Sequence, residues 1–386
     1  MSNISTYIEH PSNTELMKGY SFRTLILDLP FCSVRAHRPY DWSDKDINDL
    51  NALDFQDLAF NLDGIYTDHE LSIIKTTIES RKLHQQFSAV RIQDPGLIIW
   101  INEHFPNLNI QLNSETGLQN TPAIKAMFNL GIQTFICNHE TPAQTLAKML
   151  HSNSEFQFEV FVQGPILIQY SRRRFLSDLY ESDKTTPIRL DAEDADLPQR
   201  QFTFLNTPFG HFMFAQFHRS LAVYNDKLTS LINTSWLIDA RGESTNYFQT
   251  ALDVYVRLND ATSSELESAI HTFKTESNKP QKPGFFLSNN TDYDWRDENK
   301  HCSAAPIGQV LSKVKGDATC IEFFKLVDLN EPIYCINPDQ SENLLDIAEL
   351  TNVTHEHVDR IEPFTPYLLP QQKGIQIKGK LYLKNS

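Results

Sequence analysis

Strand-like and helix-like segments alternate from residue 24 to about residue 273, and this alternation limits the possible folds more than any other feature of the chain. Most of the apolar, β-rich runs are followed by a stretch with helical spacing or a helix-start signal. Eight strands spread over about 250 residues predict a TIM-like (β/α)8 barrel, with a doubly wound open sheet as the alternative. The predicted strands are Thr24–Leu29, Leu58–Leu62, Phe87–Ile92, Leu108–Leu112, Ile132–Cys137, Phe156–Val162, Phe212–Phe217 and Trp236–Asp239.

Three helix starts carry clear local signals. Ser43-x-x-Asp46 and Thr141-Pro142-Ala143-Gln144 resemble capping boxes, in which a hydroxyl and an acid or amide satisfy each other's backbone donors. Thr121-Pro122 combines a threonine N-cap with proline at the first helical position. These signals predict helices that begin near residues 44, 122 and 142.

The helical pattern ends at 279–284, a stretch that contains two prolines and a glycine. Short apolar runs follow, separated by Gly, Pro, Asn and Asp, which is typical of a small β domain. The predicted organisation is therefore a barrel domain over residues 1–278 and a small β-rich domain over residues 279–386.

Composition excludes some classes of protein. The chain has 386 residues and a formal net charge of −15, which argues against a protein that coats nucleic acid. It has 13 glycines and contains neither GxGxxG nor GxxxxGK[ST], so the usual phosphate-binding loops are absent. The densest basic run, Arg172 to Arg174, could contact RNA phosphates, but RNA is disfavoured as a partner by the net charge.

The predicted location is the cytoplasm. Residues 1–20 lack a basic segment followed by an apolar one, and no apolar run approaches the ~20 residues that span a bilayer. The five cysteines, at 32, 137, 302, 320 and 335, are scattered and form no CxxC pair, which favours reduced thiols.

A longer pattern resembles a known family. Gln93-Asp94-Pro95-Gly96 is followed by Asn102-Glu103-His104 and, further on, by the stretch 159–171, which reads EVFVQGPILIQYS. This order of motifs is similar to peptidase family U-32, the collagenase-like protease family. Ile238-Asp239-Ala240-Arg241 then stands where that family has I-E-G-R. The resemblance implies a barrel whose working face lies at the carboxyl ends of the strands. It also implies kinship with iron–sulfur proteins that hydroxylate RNA or the ubiquinone ring without oxygen.

The departures from the family pattern bear on function. Leu167 and Arg174 occupy two positions where the family signature has cluster-binding cysteines, and the family's later cysteine segment has no counterpart between residues 178 and 207. Thiolate ligation needs thiolates. Gln163 replaces a histidine of the signature. The resemblance therefore implies a cluster-less paralogue, with no cofactor, that acts as a binding or partner subunit beside a cluster-bearing relative.

The candidate site residues lie at or just beyond predicted strand ends, where a barrel carries its chemistry. A carboxylate and a guanidinium at this face could clamp a carboxylate or phosphate, although Asp239 and Arg241 could equally pair with neighbouring charges. The catalytic candidates, for an alternative function as a hydrolase, are Glu140, Asp239 and Arg241. Glu140 could instead serve only to stabilise a helix N-terminus. The substrate-binding candidates are Gln163, Gly164, Tyr170, Ser171 and Arg173.

Other reactive pairs carry weaker signals. His355-Glu356-His357 has metal-capable side chains but lacks the helical HExxH spacing, so no metal site is predicted. Cys137 and His139 share a face of an extended segment, yet Cys137 ends a predicted core strand, where a free cysteine usually packs as a small apolar side chain.

Overall fold

A computed structural model describes residues 3–30, 32–36, 40–113, 118–176, 187–193, 201–231, 233–258, 263–287, 306–314, 318–338, 341–358 and 360–383. The chain divides into two compact units, Met1–Leu287 and Ser288–Ser386. The domain boundary that the sequence places after residue 278 stays a prediction. Among the described residues, every helix is too short or too polar to cross a membrane.

The first unit alternates strands and helices. Its strands are β1 (Ile4–Ile8), β2 (Ser21–Leu27), β3 (Asp54–Leu62), β4 (Ala89–Ile92), β5 (Asn109–Asn113), β6 (Thr134–Cys137), β7 (Gln157–Ser171), β8 (Ile188–Glu193), β9 (Gln201–Thr207), β10 (Gly210–Ser220), β11 (Thr234–Ile238) and β12 (Gln281–Lys282). Its helices are α1 (Thr14–Met17), α2 (Asp44–Asp49), α3 (Asp68–Ser80), α4 (Leu83–Gln86), α5 (Pro95–His104), α6 (Thr121–Phe128), α7 (Ala143–His151), α8 (Asn225–Thr229), α9 (Thr245–Arg257) and α10 (Ser263–Glu276). Short 3-10 helices cover Pro11–Asn13, Leu50–Ala52, Ala222–Tyr224 and Gly284–Phe286.

Eight parallel strands close into a barrel. The strands β1 to β7 pair in sequence order, and β11 pairs with both β1 and β7. The register places Ile238 of β11 opposite Thr6 on one side and Gln163 on the other. The prediction of a TIM-like barrel is therefore confirmed, and the open-sheet alternative is wrong because no barrel strand is left with a free edge.

One predicted barrel strand is wrong and one was missed. The run Phe212–Phe217 lies in β10, which pairs antiparallel with the carboxyl-terminal half of β7 and with β9, outside the barrel. With β8, these strands form an antiparallel ribbon that extends the sheet beyond the barrel. The true first barrel strand, Ile4–Ile8, is fully buried, but it is only five residues long and carries three hydroxyl side chains. Its apolar signal is therefore weak.

The helix-start signals have mixed outcomes. The capping box at Ser43 and Asp46 is confirmed, with both reciprocal hydrogen bonds present. The box predicted at Thr141 is wrong, because α7 has Pro142 as its N-cap and makes no side-chain capping bond. Asn120, rather than Thr121, caps α6 through a 3.0 Å bond to the Ala123 N–H.

The barrel interior contains a buried polar network, whereas most barrels of this type fill it mainly with branched apolar side chains. Arg91 of β4 and Glu159 of β7 meet across the lumen at 2.7 Å, and both are fully buried. Gln111 of β5 accepts a hydrogen bond from Arg91 Nε at 3.1 Å and donates to Thr24 Oγ1 at 3.3 Å. Because β5 and β6 lie between β4 and β7 in the barrel, this ion pair links two strands that do not pair with each other.

The second unit is a separate antiparallel β half-barrel. Its strands are β13 (Gly308–Lys313), β14 (Ala318–Phe323), β15 (Ile333–Ile336), β16 (Glu342–Leu345), β17 (Pro366–Pro370) and β18 (Lys380–Leu383). They run in the spatial order β16, β15, β18, β13, β14, β17, and every pairing is antiparallel. The unit has its own hydrophobic core, which includes Ile321, Phe323 and Leu381. The predicted small C-terminal β domain is therefore confirmed.

Candidate functional site

Arg241 is the centre of a buried charged cluster at the carboxyl ends of the barrel strands. Its Nε donates to Asp239 Oδ1 at 2.9 Å and its Nη2 to Asp239 Oδ2 at 2.7 Å. The remaining nitrogen, Nη1, donates to Asp28 Oδ2 at 3.0 Å. The guanidinium also lies 3.6 Å from the centre of the Tyr7 ring. Every nitrogen of this side chain is therefore already engaged within the protein.

The cluster keeps its charges. Burial alone would raise the pKa of Asp239, but the guanidinium of Arg241 and then that of Arg35 hold this pKa well below its usual value. Burial opposes the charge of Arg241, yet Asp239 and Asp28 raise its pKa well above normal. A carboxylate that stays ionised and bound at both oxygens is a poor proton carrier. The geometry thus favours mutual pairing for Asp239 and Arg241, which the sequence left open.

Arg35 is a second arginine at this mouth that the sequence did not single out. Its Nη2 lies 3.7 Å from Asp239 Oδ2, and its guanidinium sits 5.0 Å from the Phe214 ring centre. It comes from the loop after β2, where no motif marks it. The signal that could have found it is its position shortly after a barrel strand, which is the same reasoning that found Arg241.

A small cavity of about 50 Å³ opens beside this cluster. Asp239 and Arg241 line it, but the described substrate-binding candidates do not. The lining residues are Tyr7, Arg35, Asn113, Ile136, Cys137, Asn138, His139, Phe161, Pro165, Leu167, Leu237, Asp239 and Arg241.

Cys137 and His139 both line the cavity but do not form an activated nucleophile and base. Burial, and then Glu159, raise the pKa of the Cys137 thiol to about 12. Burial, followed by the positive charges of Arg219 and Arg35, lowers the pKa of His139 to about 3. A neutral thiol beside a histidine that resists protonation is unsuited to nucleophilic catalysis.

Gln163 and Gly164 have structural roles in the packing of β7. The Gln163 amide nitrogen donates to the Tyr247 hydroxyl at 2.6 Å and to Gln281 Oε1 at 2.8 Å, so this side chain faces α9. Gly164 has a φ of +136°, and a Cβ there would collide with the carbonyl oxygen of Asp239. Their predicted roles in substrate binding stay predictions.

Tyr170, Ser171 and Arg173 lie on or beside the ribbon. The Tyr170 ring stacks on Phe212 at 4.7 Å, and its hydroxyl donates to the Phe209 carbonyl at 3.0 Å. Ser171 Oγ accepts from the Arg173 N–H at 3.2 Å. Three large apolar side chains of this segment are exposed: Ile168 by 52%, Tyr170 by 38% and Phe175 by 52%. None of these residues lines the cavity.

Glu140 is exposed in the turn after β6 and is not part of the buried cluster. Its backbone N–H donates to Asn138 Oδ1 at 2.7 Å, which fixes the turn. The three catalytic candidates are therefore not brought together, and a catalytic role for each remains a prediction.

A further depression of about 310 Å³ lies between the end of β1 and the start of α9, lined in part by Glu9, Arg241 and Ser244. Glu9 Oε2 accepts the Gly242 N–H at 2.8 Å. Burial raises the pKa of Glu9 to about 7, although the Gly242 N–H and Arg241 oppose the shift. This carboxyl therefore changes charge near neutral pH.

The residues present do not fit the iron–sulfur cluster that the family resemblance implies. Leu167 lines the cavity and packs against the barrel core, and a leucine offers no iron ligand. Over the described part of the chain, no group of three or more His, Cys, Asp or Glu could hold a metal ion. Glu356, which stands in the His355-Glu356-His357 stretch of the second unit, accepts hydrogen bonds from Asn352 and Thr354 through its carboxylate.

Comparison with known proteins gives short matches to curated relatives. Over 89 residues, the chain is 30% identical to tRNA hydroxylation protein P of Haemophilus influenzae and 29% identical to tRNA hydroxylation protein P of Escherichia coli K12. Each match covers 23% of this chain, and it spans only about a fifth of the relatives' length, 19% and 20% respectively.

A solved structure and a family model also match. The structure is the C-terminal domain of a Geobacillus thermoleovorans putative U32 peptidase, with 10% identity and a TM-score of 0.19 over 20% of this chain and 91% of that one. The sequence model of peptidase family U32 matches residues 57–296, from the third barrel strand past the end of the first unit. Since this match covers more than half of the chain, the protein belongs to peptidase family U32.

Proposed function

We propose that this protein is a cluster-less member of its family that serves as a binding or partner subunit beside a cluster-bearing relative that hydroxylates RNA or the ubiquinone ring. The observation that carries this proposal is Leu167, an apolar side chain at the barrel mouth where the family signature has a cysteine. The surrounding barrel is intact, so the loss concerns the ligand set and not the scaffold.

The names of the two curated relatives support RNA, rather than the ubiquinone ring, as the substrate in this proposal, because both are tRNA hydroxylation proteins. The net charge of −15 disfavours direct binding of RNA by this chain. We therefore propose that the cluster-bearing relative contacts the substrate and that this chain contacts the relative. We place this complex in the cytoplasm, where thiols stay reduced.

The ribbon is the surface that suits a partner. Ile168 and Phe175 are each about half exposed and Tyr170 is 38% exposed, in the carboxyl-terminal part of β7 and the segment just after it. Large exposed apolar side chains on one segment of the chain support a role for that segment in a protein interface. Tyr170, Ser171 and Arg173 would then contribute to that interface or to substrate contacts at its rim.

The geometry gives no support to the hydrolase alternative. Both oxygens of Asp239 are bound to Arg241, and Glu140 is exposed away from them. The alternative remains open to one test: alanine substitution of Glu140, Asp239 and Arg241 in turn should abolish cleavage of a peptide substrate if it is right.

The proposal is tested by anaerobic co-expression with a cluster-bearing relative, followed by affinity purification and assay of iron, sulfide and RNA. We expect the relative to co-purify and the iron to stay with it. A stoichiometric iron–sulfur absorption band on this chain alone, after anaerobic reconstitution, would overturn the proposal.

A further inference from the structure

The cavity at the barrel mouth is lined by a buried hydrogen-bond donor that has no partner among the described residues. Asn138 is 4% exposed and lines the cavity. Its Oδ1 accepts the Glu140 N–H at 2.7 Å, which identifies the other amide atom as the nitrogen. That nitrogen has no hydrogen-bond partner among the described residues. Leaving a buried donor unpaired costs about 1–3 kcal/mol, so an acceptor is expected at this position.

The charges around the cavity favour an anion as that acceptor. Arg35 lines the cavity, and Arg219 lies behind its wall, where it donates a short hydrogen bond to the carbonyl of His139. Arg219 is 1% exposed and packs between the rings of Phe161 and Phe286. No carboxylate of the described residues pairs with it. A buried guanidinium without a counter-charge is expensive, and a nearby anion reduces that cost.

The carboxylate that lines the cavity does not cancel this preference. Both oxygens of Asp239 accept hydrogen bonds from Arg241, and Oδ2 also lies 3.7 Å from Arg35 Nη2, so one carboxylate is shared between the two guanidinium groups that line the cavity. Burial is the main cause of the low pKa of His139, and the positive charges of Arg219 and Arg35 lower this pKa further, so both arginines act on this wall of the cavity.

We propose that this cavity binds a planar oxyanion, either a free ion such as bicarbonate or the carboxylate group of a small organic acid, between Asn138 and Arg35. The volume of about 50 Å³ exceeds the ~30 Å³ share of one water molecule and suits a group of a few non-hydrogen atoms. Planar oxyanions match both the guanidinium fork and an amide donor. The proposal does not depend on the partner role.

Saturation-transfer difference NMR on the purified full chain tests the proposal, with sodium formate as the probe. Formate should receive saturation from the protein, and bicarbonate should compete for the same site. Benzoate is the second probe. Its binding indicates that the carboxylate of a larger acid reaches the cavity. Binding of formate and bicarbonate without benzoate indicates that the cavity takes a free ion. Absence of transfer to formate at every concentration would overturn the proposal and leave water as the occupant.

The decisive variant is Asn138→Asp, which keeps the acceptor for the Glu140 N–H and replaces the free donor with a negative oxygen. Formate binding should weaken at least tenfold. The matched control is Asn107→Asp, at an exposed turn, which should leave binding unchanged. If Asn138→Asp does not fold, Arg35→Gln should give the same loss against Arg257→Gln as its control. Equal binding in variant and control contradicts the proposal.

Discussion

Arg91 and Glu159 form a fully buried ion pair, 2.7 Å apart, that links the non-neighbouring barrel strands β4 and β7. Burial opposes the charge of Arg91. The attraction and hydrogen bond of Glu159, and smaller contributions from Tyr7, outweigh this effect and raise the pKa of Arg91. Arg91 therefore remains charged, and the Glu159 carboxyl group is its partner inside the barrel.

Replacing Glu159 with alanine should lower the free energy of unfolding by about 3–5 kcal/mol, because it leaves the Arg91 charge buried without a partner. Urea denaturation followed by circular dichroism measures the change. Glu155→Ala, an exposed glutamate just before the same strand, should cost less than about 0.5 kcal/mol. The double variant Arg91→Met/Glu159→Met should be more stable than Glu159→Ala, and a lower stability would contradict this account of the pair.

Gly164→Ala should destabilise the protein by about 3 kcal/mol, because the left-handed φ is unfavourable for alanine and the new Cβ collides with the Asp239 backbone. The measurement is again the urea midpoint. Gly19→Ala separates the two causes: Gly19 has a φ of +87°, but a Cβ added there would meet no atom within 4 Å, so only about 1 kcal/mol of backbone strain is expected. Equal losses in both variants would show that the close approach to Asp239 has no effect.

The barrel could be predicted because its strands are short apolar runs separated by helices, a pattern that each segment carries locally. The identity of individual strands was less secure. The segment at Phe212 is as apolar as a barrel strand, yet it pairs antiparallel in the ribbon, and only tertiary pairing separates the two cases. Ile4–Ile8 was missed because the strand is short and part of its interior face is polar.

The site was predictable only in part. Asp239 and Arg241 follow a barrel strand, and this position was enough to find them. Arg35 and Asn138 escaped notice because they belong to irregular loops with no motif, and their importance comes from burial and unpaired atoms. Gln163 was singled out by its place in the family signature; its side chain bonds to Tyr247 and does not line the cavity, and its role in substrate binding stays a prediction.

Glu9 should make stability depend on pH near neutrality. Burial raises its pKa from 4.5 to about 7, so the folded state holds a proton that the unfolded state releases at lower pH. The resulting stabilisation is present below pH 4.5 and is lost as the pH rises through 7, a change of about 3 kcal/mol. Glu9→Gln keeps an acceptor for the Gly242 N–H and should be more stable than the parent protein at pH 8.

Urea unfolding at pH 5 and pH 8 measures this effect in the parent protein and the variant. The difference between the two pH values should shrink in Glu9→Gln. Glu103→Gln, at an exposed position of α5, should leave it unchanged. An unaltered pH dependence in Glu9→Gln would show that another group is responsible.

The proposed interface on the ribbon predicts a loss of partner binding without a loss of folding. Ile168→Glu places a charge in the exposed apolar surface, and burying that charge against a partner should weaken co-purification of the cluster-bearing relative roughly tenfold or more. Ile99→Glu is the matched control, because Ile99 on α5 is 48% exposed and lies outside the ribbon. Both variants should keep the thermal midpoint of the parent protein. Equal recovery of the relative with both would exclude the ribbon as the interface, whereas loss with both would indicate a nonspecific effect of added charge.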